Sequence, residues 1–330
     1  MAEFRRAGMK NALPLRDVRV FVTGAGGFIG SHLVRALLAE GAEIFATSRK
    51  EAPWRLRGVS RRIAFRPISV TSEHALASAL KSFEPAVVFH LAALVPARAL
   101  ASARSAEVIE GGTRSLARSL ARIGSSARLV TLGSADEYGK ARSPRETSRA
   151  RALTPYGISK RRATEYLRRT AGAPFSAVVL RPPIVYGPAQ DFGMFVPSCI
   201  RACLRREPFA VRGEKIARDF LYVSDLVDAM LLAAVCDSPR FTVVNVGSGR
   251  ATPLSVAARI IAKRLRAETL IRLEPEARSA YEPETRRLII DKARRELSWF
   301  PKVALAEGLF ATIRWYEEHR ELFSRLGAHN

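Results

Sequence analysis

The sequence predicts an α/β fold, a doubly wound parallel sheet followed by a smaller C-terminal α/β domain. Three observations carry that prediction. The apolar run Val18-Arg19-Val20-Phe21-Val22 leads straight into Gly24, Gly27 and Gly30 at G-x-x-G-x-x-G spacing and then into an amphipathic stretch through about Glu40. Strand-like and helix-like patterns alternate from there to about residue 180. The 330 residues, 48% of them hydrophobic, are enough to bury a large core.

Composition excludes several classes. No apolar run reaches the ~18 residues of a membrane span, and the start, Met1-Ala2-Glu3-Phe4-Arg5-Arg6, lacks the apolar centre of a signal peptide. A cytoplasmic location is the expectation. Cys199, Cys203 and Cys236 contain no close Cys-x-x-Cys pair, so neither a disulfide framework nor a metal site is expected. The net charge of +23 raises the question of nucleic acid. The arginines are spread over the helical stretches, as at Arg114, Arg118 and Arg122, without one basic segment interleaved with aromatics. They read as solvated faces, with no nucleic-acid partner, in a field that draws in anionic ligands.

Residues 1–16 show no periodicity and read as a flexible leader outside the core, with Met9 a possible alternative start. The glycine turn after the first strand has a physical logic. A tight turn lets the backbone approach a pyrophosphate while the helix start offers free N–H groups and its positive dipole end. This is the dinucleotide site of a Rossmann sheet, with Gly24, Gly27, Phe28, Ile29 and Gly30 against the cofactor. The alternative is a glycine-rich connection without a ligand. The second strand, Ala42 to Ala46, ends in Thr47-Ser48-Arg49-Lys50. An unphosphorylated ribose is usually met by an acid at this tip, whereas hydroxyls and basic groups suit a 2′-phosphate. Ser48, Arg49 and Lys50 therefore favour NADP over NAD, against the plainer reading of an exposed basic loop. Strands near 63–65 and 86–90 follow, with a helix from Thr71 or Ser72 between them. His90-Leu91-Ala92-Ala93 brings small residues to a strand end, where Leu91, Ala92 and Ala93 are expected on the cofactor and His90 reads as a packed residue. A helix over about 106–123 precedes strand 127–132, which delivers Gly133 and Ser134 to the same sheet edge.

The next helix, about 154–170, carries Tyr156 and Lys160 at i, i+4, on one face, with Ser159 turned away. An ammonium beside a phenol favours the phenolate and is expected to lower the tyrosine pKa from about 10. Any surface helix can carry this spacing by chance; its weight comes from the glycine turn, the basic strand tip and Ser134, all directed to one place.

Taken together these pieces resemble the extended short-chain dehydrogenases/reductases that act on nucleotide sugars, the NAD-dependent epimerase/dehydratase group. The resemblance runs through Thr23–Gly30, His90–Ala93, Gly112-Thr113, Ser134–Gly139, Tyr156–Lys160, Leu180–Gly187, Arg218–Asp225, Asn245–Gly249, Leu297–Pro301 and Glu307–Leu309. It implies that Ser134 hydrogen-bonds the reacting sugar oxygen, Tyr156 exchanges its proton, and Lys160 holds the nicotinamide ribose. It adds Pro183 and Ile68 to the cofactor contacts, although Pro67-Ile68-Ser69 replaces the acid that usually meets adenine. From Asp191 onward it implies a substrate-binding lid. There Arg218 is the candidate phosphate ligand, with an ion pair to Asp219 or Asp225 as the plainer alternative, and Arg278 is a second one, with Arg286 and Arg287 close in sequence. Phe195, Pro197 and Val211 would flank the base. The domain boundaries expected are 17–187 for the cofactor domain, rejoined at about 219–247, and 188–218 with 248–330 for the lid.

Relatives that dehydrate their sugar carry Thr-Asp-Glu-x-Tyr. Here Ala135 replaces the acid, and Asp136, a substrate-contact candidate, stands where the base usually is. The form Gly-Ser-x-acid-Glu-Tyr-Gly resembles NADPH-dependent reductases of 4-keto-6-deoxy nucleotide sugars. A 4-epimerase with tightly held NAD and a catalytically silent NADP(H)-binding regulatory protein are the alternatives. Ile109 and Ile184 depart from asparagines common in the group. A homodimer through the helices near 105–123 and 154–170 is implied as well.

Overall fold

In a computed structural model of the chain, residues 15–49, 53–94, 105–172, 174–213, 216–275 and 283–323 are described. Seven strands form the main sheet: β1 (Arg19–Thr23), β2 (Glu43–Thr47), β3 (Ala64–Phe65), β4 (Val87–His90), β5 (Arg128–Leu132), β6 (Ser176–Arg181) and β11 (Phe241–Asn245). Their order is β11-β6-β5-β4-β1-β2-β3, and every pairing is parallel. The chain winds outward from β1 in one direction, returns, and winds the other way from β4. A crevice therefore opens beyond the carboxyl ends of β1 and β4, where such sheets bind ligands.

Near-continuous apolar strands follow from covering both faces. Val20, Val22, Val130, Val178 and Leu180 face a core built with α1 (Phe28–Ala39) and α6 (Val223–Val235). Phe21, Leu129, Ala177 and Val179 alternate with them toward α2 (Glu73–Phe83), α3 (Gly112–Arg122) and α4 (Pro155–Thr170). The helix expected from residue 106 begins as a π-helical turn, Glu107–Gly111, before α3. Gly112 is needed at that junction, because a Cβ there would lie 2.7 Å from Val70 Cγ2. Leu15, expected in the leader, is buried in the core, and Asp17 N donates to Gly41 O.

A second core gathers Val196 and Ile200 of α5 (Phe195–Arg205), Ala257 and Ile261 of α7 (Leu254–Arg264), and Leu309 and Ile313 of α9 (Leu305–Glu318). Short strands accompany it. β7 (Ile184–Tyr186) pairs with β10 (Phe220–Tyr222), and β8 (Phe209–Arg212) pairs with β13 (Ile271–Glu274). β9 (Ala217–Arg218) lies between β12 (Thr252–Pro253) and β14 (Thr285–Arg286). Between β14 and α9 runs the short helix α8 (Asp291–Glu296). Among the described residues no helix is long and apolar enough to cross a membrane.

Candidate active site

The glycine turn sits against the end of β4. Gly24 has φ +69°, and a Cβ there would meet Leu91 C and Ala92 N at 2.7 Å. A Cβ on Gly30 would fall on Gly24 O, so α1 starts only because both positions lack side chains. Gly27 caps α1 without a side-chain hydrogen bond, and the first turn carries no acid, which leaves its N–H groups and positive dipole end open to an anion. Phe28, Ile29, Leu91, Ala92, Ala93 and Pro183 are all half-buried. At the tip of β2, Ile68 N donates to Thr47 Oγ1 at 2.9 Å, which fastens Ile68 beside Ser48 and the exposed Arg49. Lys50 lies outside the described residues. The cradle fits a dinucleotide pyrophosphate, and the basic tip without an acid is compatible with either ribose form.

Ser134 lies two residues beyond the end of β5 and caps a 3₁₀ turn over Ala135–Tyr138. Its Oγ accepts from Asp136 N at 3.1 Å, while Glu137 Oε1 accepts from Ser134 N at 3.0 Å. This reciprocal capping box fixes the serine backbone. Glu137 is fully buried and also accepts from Thr164 Oγ1 at 3.2 Å and from Arg181 Nε and Nη2 at 2.9 and 2.5 Å. It is a structural anchor joining β5, α4 and β6. The Ser-x-x-Glu spacing is the sequence signal that identifies it.

Thr154 caps α4, accepting from Gly157 N at 3.1 Å, with Pro155 in the first turn. Gly157 must be small, since a Cβ there would lie 2.8 Å from Asp136 O, and this close approach sets Tyr156 beside Ser134. Tyr156 is half-buried, and burial pushes its pKa above the ordinary tyrosine value. Asp136 and Glu137 add to that rise, and a hydrogen bond with Ser134 opposes it. The expected lowering by Lys160 is therefore corrected. Lys160 Nζ stands 5.8 Å from the Tyr156 ring centroid and donates to Leu132 O at 2.7 Å. Burial brings the lysine down to about 8, with Glu137 acting the other way. Ser159 Oγ turns back to Pro155 O, 3.0 Å away.

Asp136, considered as a base, is engaged by Arg286, whose Nη1 donates to Asp136 Oδ1 at 2.8 Å. Arg286 Nη2 donates to Gly139 O as well. Sequence reasoning named Arg286 only as a neighbour of Arg278, because nothing local shows that β14 carries it across to the Ser134 turn. Arg278 itself lies outside the described residues. In register beside Arg286 on β9, Arg218 is buried and donates through Nη1 to Ala217 O and Glu284 O, both at 3.0 Å. The aspartates weighed as its partners hold backbone: Asp219 accepts from Ser248 N, Gly249 N and Leu288 N, and Asp225 from Val303 N. Phe195 stacks edge-on to Phe209 with centroids 5.7 Å apart, while Pro197 is buried on α5 and Val211 in the second core. Among the described residues no cluster of three or more His, Cys, Asp or Glu is arranged to hold a metal ion.

Three similarities bear on this geometry. The chain is 30% identical over 321 residues to a dTDP-4-dehydro-6-deoxy-D-allose reductase of a Streptomyces species, covering 91% of this chain and 97% of that protein. It is 32% identical over 303 residues to a dTDP-6-deoxy-L-talose 4-dehydrogenase (NAD(P)(+)) of Kitasatospora kifunensis, covering 88% and 93%. The solved structure of MoeE5 in complex with UDP-glucose and NAD superposes with a TM-score of 0.81 at 31% identity, covering 91% and 99%. Residues 20–247 match the model of the NAD dependent epimerase/dehydratase family, and the chain belongs to that family.

Proposed function

We propose that this protein reduces the 4-keto group of a 4-keto-6-deoxy nucleotide sugar, using NADPH. The observation that carries the reading is the meeting of Ser134, Tyr156 and Lys160 beside the glycine cradle, with both nearby carboxylates already engaged. Dehydration needs a free acid and base next to the sugar. Here Arg286 holds Asp136, and Arg181, Thr164 and the Ser134 backbone hold Glu137. What remains is a hydroxyl and a phenol suited to one carbonyl.

The Gly24–Gly30 turn and the α1 start would hold the pyrophosphate, with Ser48 and Arg49 at the adenosine ribose and Lys160 at the other. When bound, the reduced nicotinamide supplies the hydride. Ser134 Oγ donates a hydrogen bond to the C4 oxygen and orients it. Tyr156 gives its phenolic proton to that oxygen as the carbonyl becomes an alcohol, and takes a proton back from solvent. The phenol stands protonated at neutral pH, so Tyr156 starts as the donor that this direction needs. The reductase and 4-dehydrogenase among the relatives support chemistry at C4, and the cofactor written NAD(P)(+) for one of them supports phosphorylated-cofactor use.

The test is nicotinamide oxidation by the purified protein against dTDP-, GDP- and CDP-linked 4-keto-6-deoxy sugars. NADPH should be consumed one for one with sugar, faster than NADH. Interconversion of UDP-sugars with no net NADPH consumption would instead establish the epimerase.

A further inference from the structure

Beside Lys160 a small cavity of about 10 Å³ lies between β4, β5, α3 and α4. That volume is on the order of one water molecule. Its polar lining is His90, Lys160, Thr131, Thr164 and Thr113. His90 is 3% exposed, and among the described residues its Nε2 has no hydrogen-bond partner. A buried unpartnered imidazole nitrogen is costly unless something pairs with it. The other ring nitrogen has a partner: Nδ1 lies 2.8 Å from Thr23 Oγ1, a hydroxyl that accepts from Leu91 N at 3.3 Å. Thr131 Oγ1 donates to His90 O at 2.8 Å, and Thr164 and Thr113 donate to Glu137 and Ile109 O, so the hydroxyl protons of all three are already used and their oxygens can only accept further.

We propose that the cavity holds one water that accepts from Lys160 Nζ and donates to His90 Nε2, making His90 a positioning residue for the catalytic lysine. The bridge requires neutral His90 with its proton on Nδ1, donated to Thr23. Lys160 is then held from two sides, by Leu132 O and by the water, leaving one ammonium N–H for the site. The electrostatics agree. Burial and Lys160 together bring His90 down to about 3, so the ring stays neutral beside the ammonium. The charged or titratable groups around the pair are Lys160, Tyr156 and the Glu137–Arg181 pair; the cavity lining from β5 and α3 adds only uncharged residues.

Lys160 acts in turnover only under the reading above, so the test uses the full chain without cofactor or substrate. In ¹⁵N NMR, His90 should show the neutral Nδ1–H tautomer from about pH 5 to 9. Lys160, followed through its side-chain NMR signals, should titrate about one unit lower in His90→Leu than in wild type, because a hydrogen-bonded acceptor is lost. His90→Gln, whose amide can restore the acceptor, should return it to near the wild-type value. An Nε2–H tautomer, an imidazolium forming above pH 5, or an unchanged Lys160 in His90→Leu would each overturn the bridge. If His90→Leu does not fold, the wild-type tautomer decides alone. A chain that shows the bridge yet reduces no keto-sugar would refute the proposed reaction and leave this inference standing.

Discussion

At Tyr156 and Lys160 the same burial acts on two groups in opposite senses, raising the acid and lowering the base, because both charged forms are disfavoured out of water. Tyr156→Phe should keep nucleotide affinity, read by fluorescence titration, while kcat falls by ~10²–10⁴, the usual loss of a positioned proton donor. Retained turnover would move the proton transfer elsewhere. Lys160 carries a stability cost. Its folded pKa, about 8, lies below the ordinary 10.5, so the unfolded chain holds more protons between those values and stability rises with pH across them. Below about pH 8 the penalty is present in full. Lys160→Met should therefore melt higher than wild type at pH 7, with the gain shrinking toward pH 10.5, while activity is lost. A lower Tm at pH 7 would mean that the bond to Leu132 O outweighs the burial cost.

Elements divide by how local their causes are. The turn between β1 and α1, the cap of α4 and the tip of β2 are each written in a few adjacent residues, which is why Gly24, Gly30, Ser134, Tyr156 and Lys160 could be found from the sequence. The anchors under them join distant segments. Glu137 meets Arg181 and Thr164, Tyr138 Oη donates to Asn245 Oδ1 at 2.7 Å, and Arg286 arrives from β14. Their partners lie 27 to 150 positions away, beyond any periodicity or spacing rule. Only the capping box at Ser134 leaves a local trace. Removing one partner of a buried pair is the severe case. Glu137→Gln should cost ~3–5 kcal/mol in urea unfolding, while Arg145→Ala, which removes the exposed pair with Asp291, should cost under ~1 kcal/mol. Equal losses would contradict the anchoring role.

Over the whole molecule, charge sets how copies and ligands meet. Arg114, Arg118, Arg122, Arg162 and Arg169 are exposed on α3 and α4, with Glu73, Glu110 and Glu165 offsetting part of their charge. If a homodimer forms through these helices, arginines are brought together. Raising salt from ~20 to ~300 mM should then tighten it, since screening relieves the repulsion. Sedimentation velocity at the two salts reads the effect, and a dimer that loosens with salt would place the seam elsewhere. The position of β11 has a consequence for synthesis. The strand that closes the sheet beside β6 is residues 241–245, separated from β6 by residues 182–240 and just beyond the first strands of the second core. During translation Val178, Val179 and Leu180 must wait on an open edge until that strand leaves the ribosome, an interval in which they can pair with another nascent chain. The Asn245 that then reaches Tyr138 is thus also the residue that ends this exposure, so completing the sheet and securing the Ser134 turn are one event.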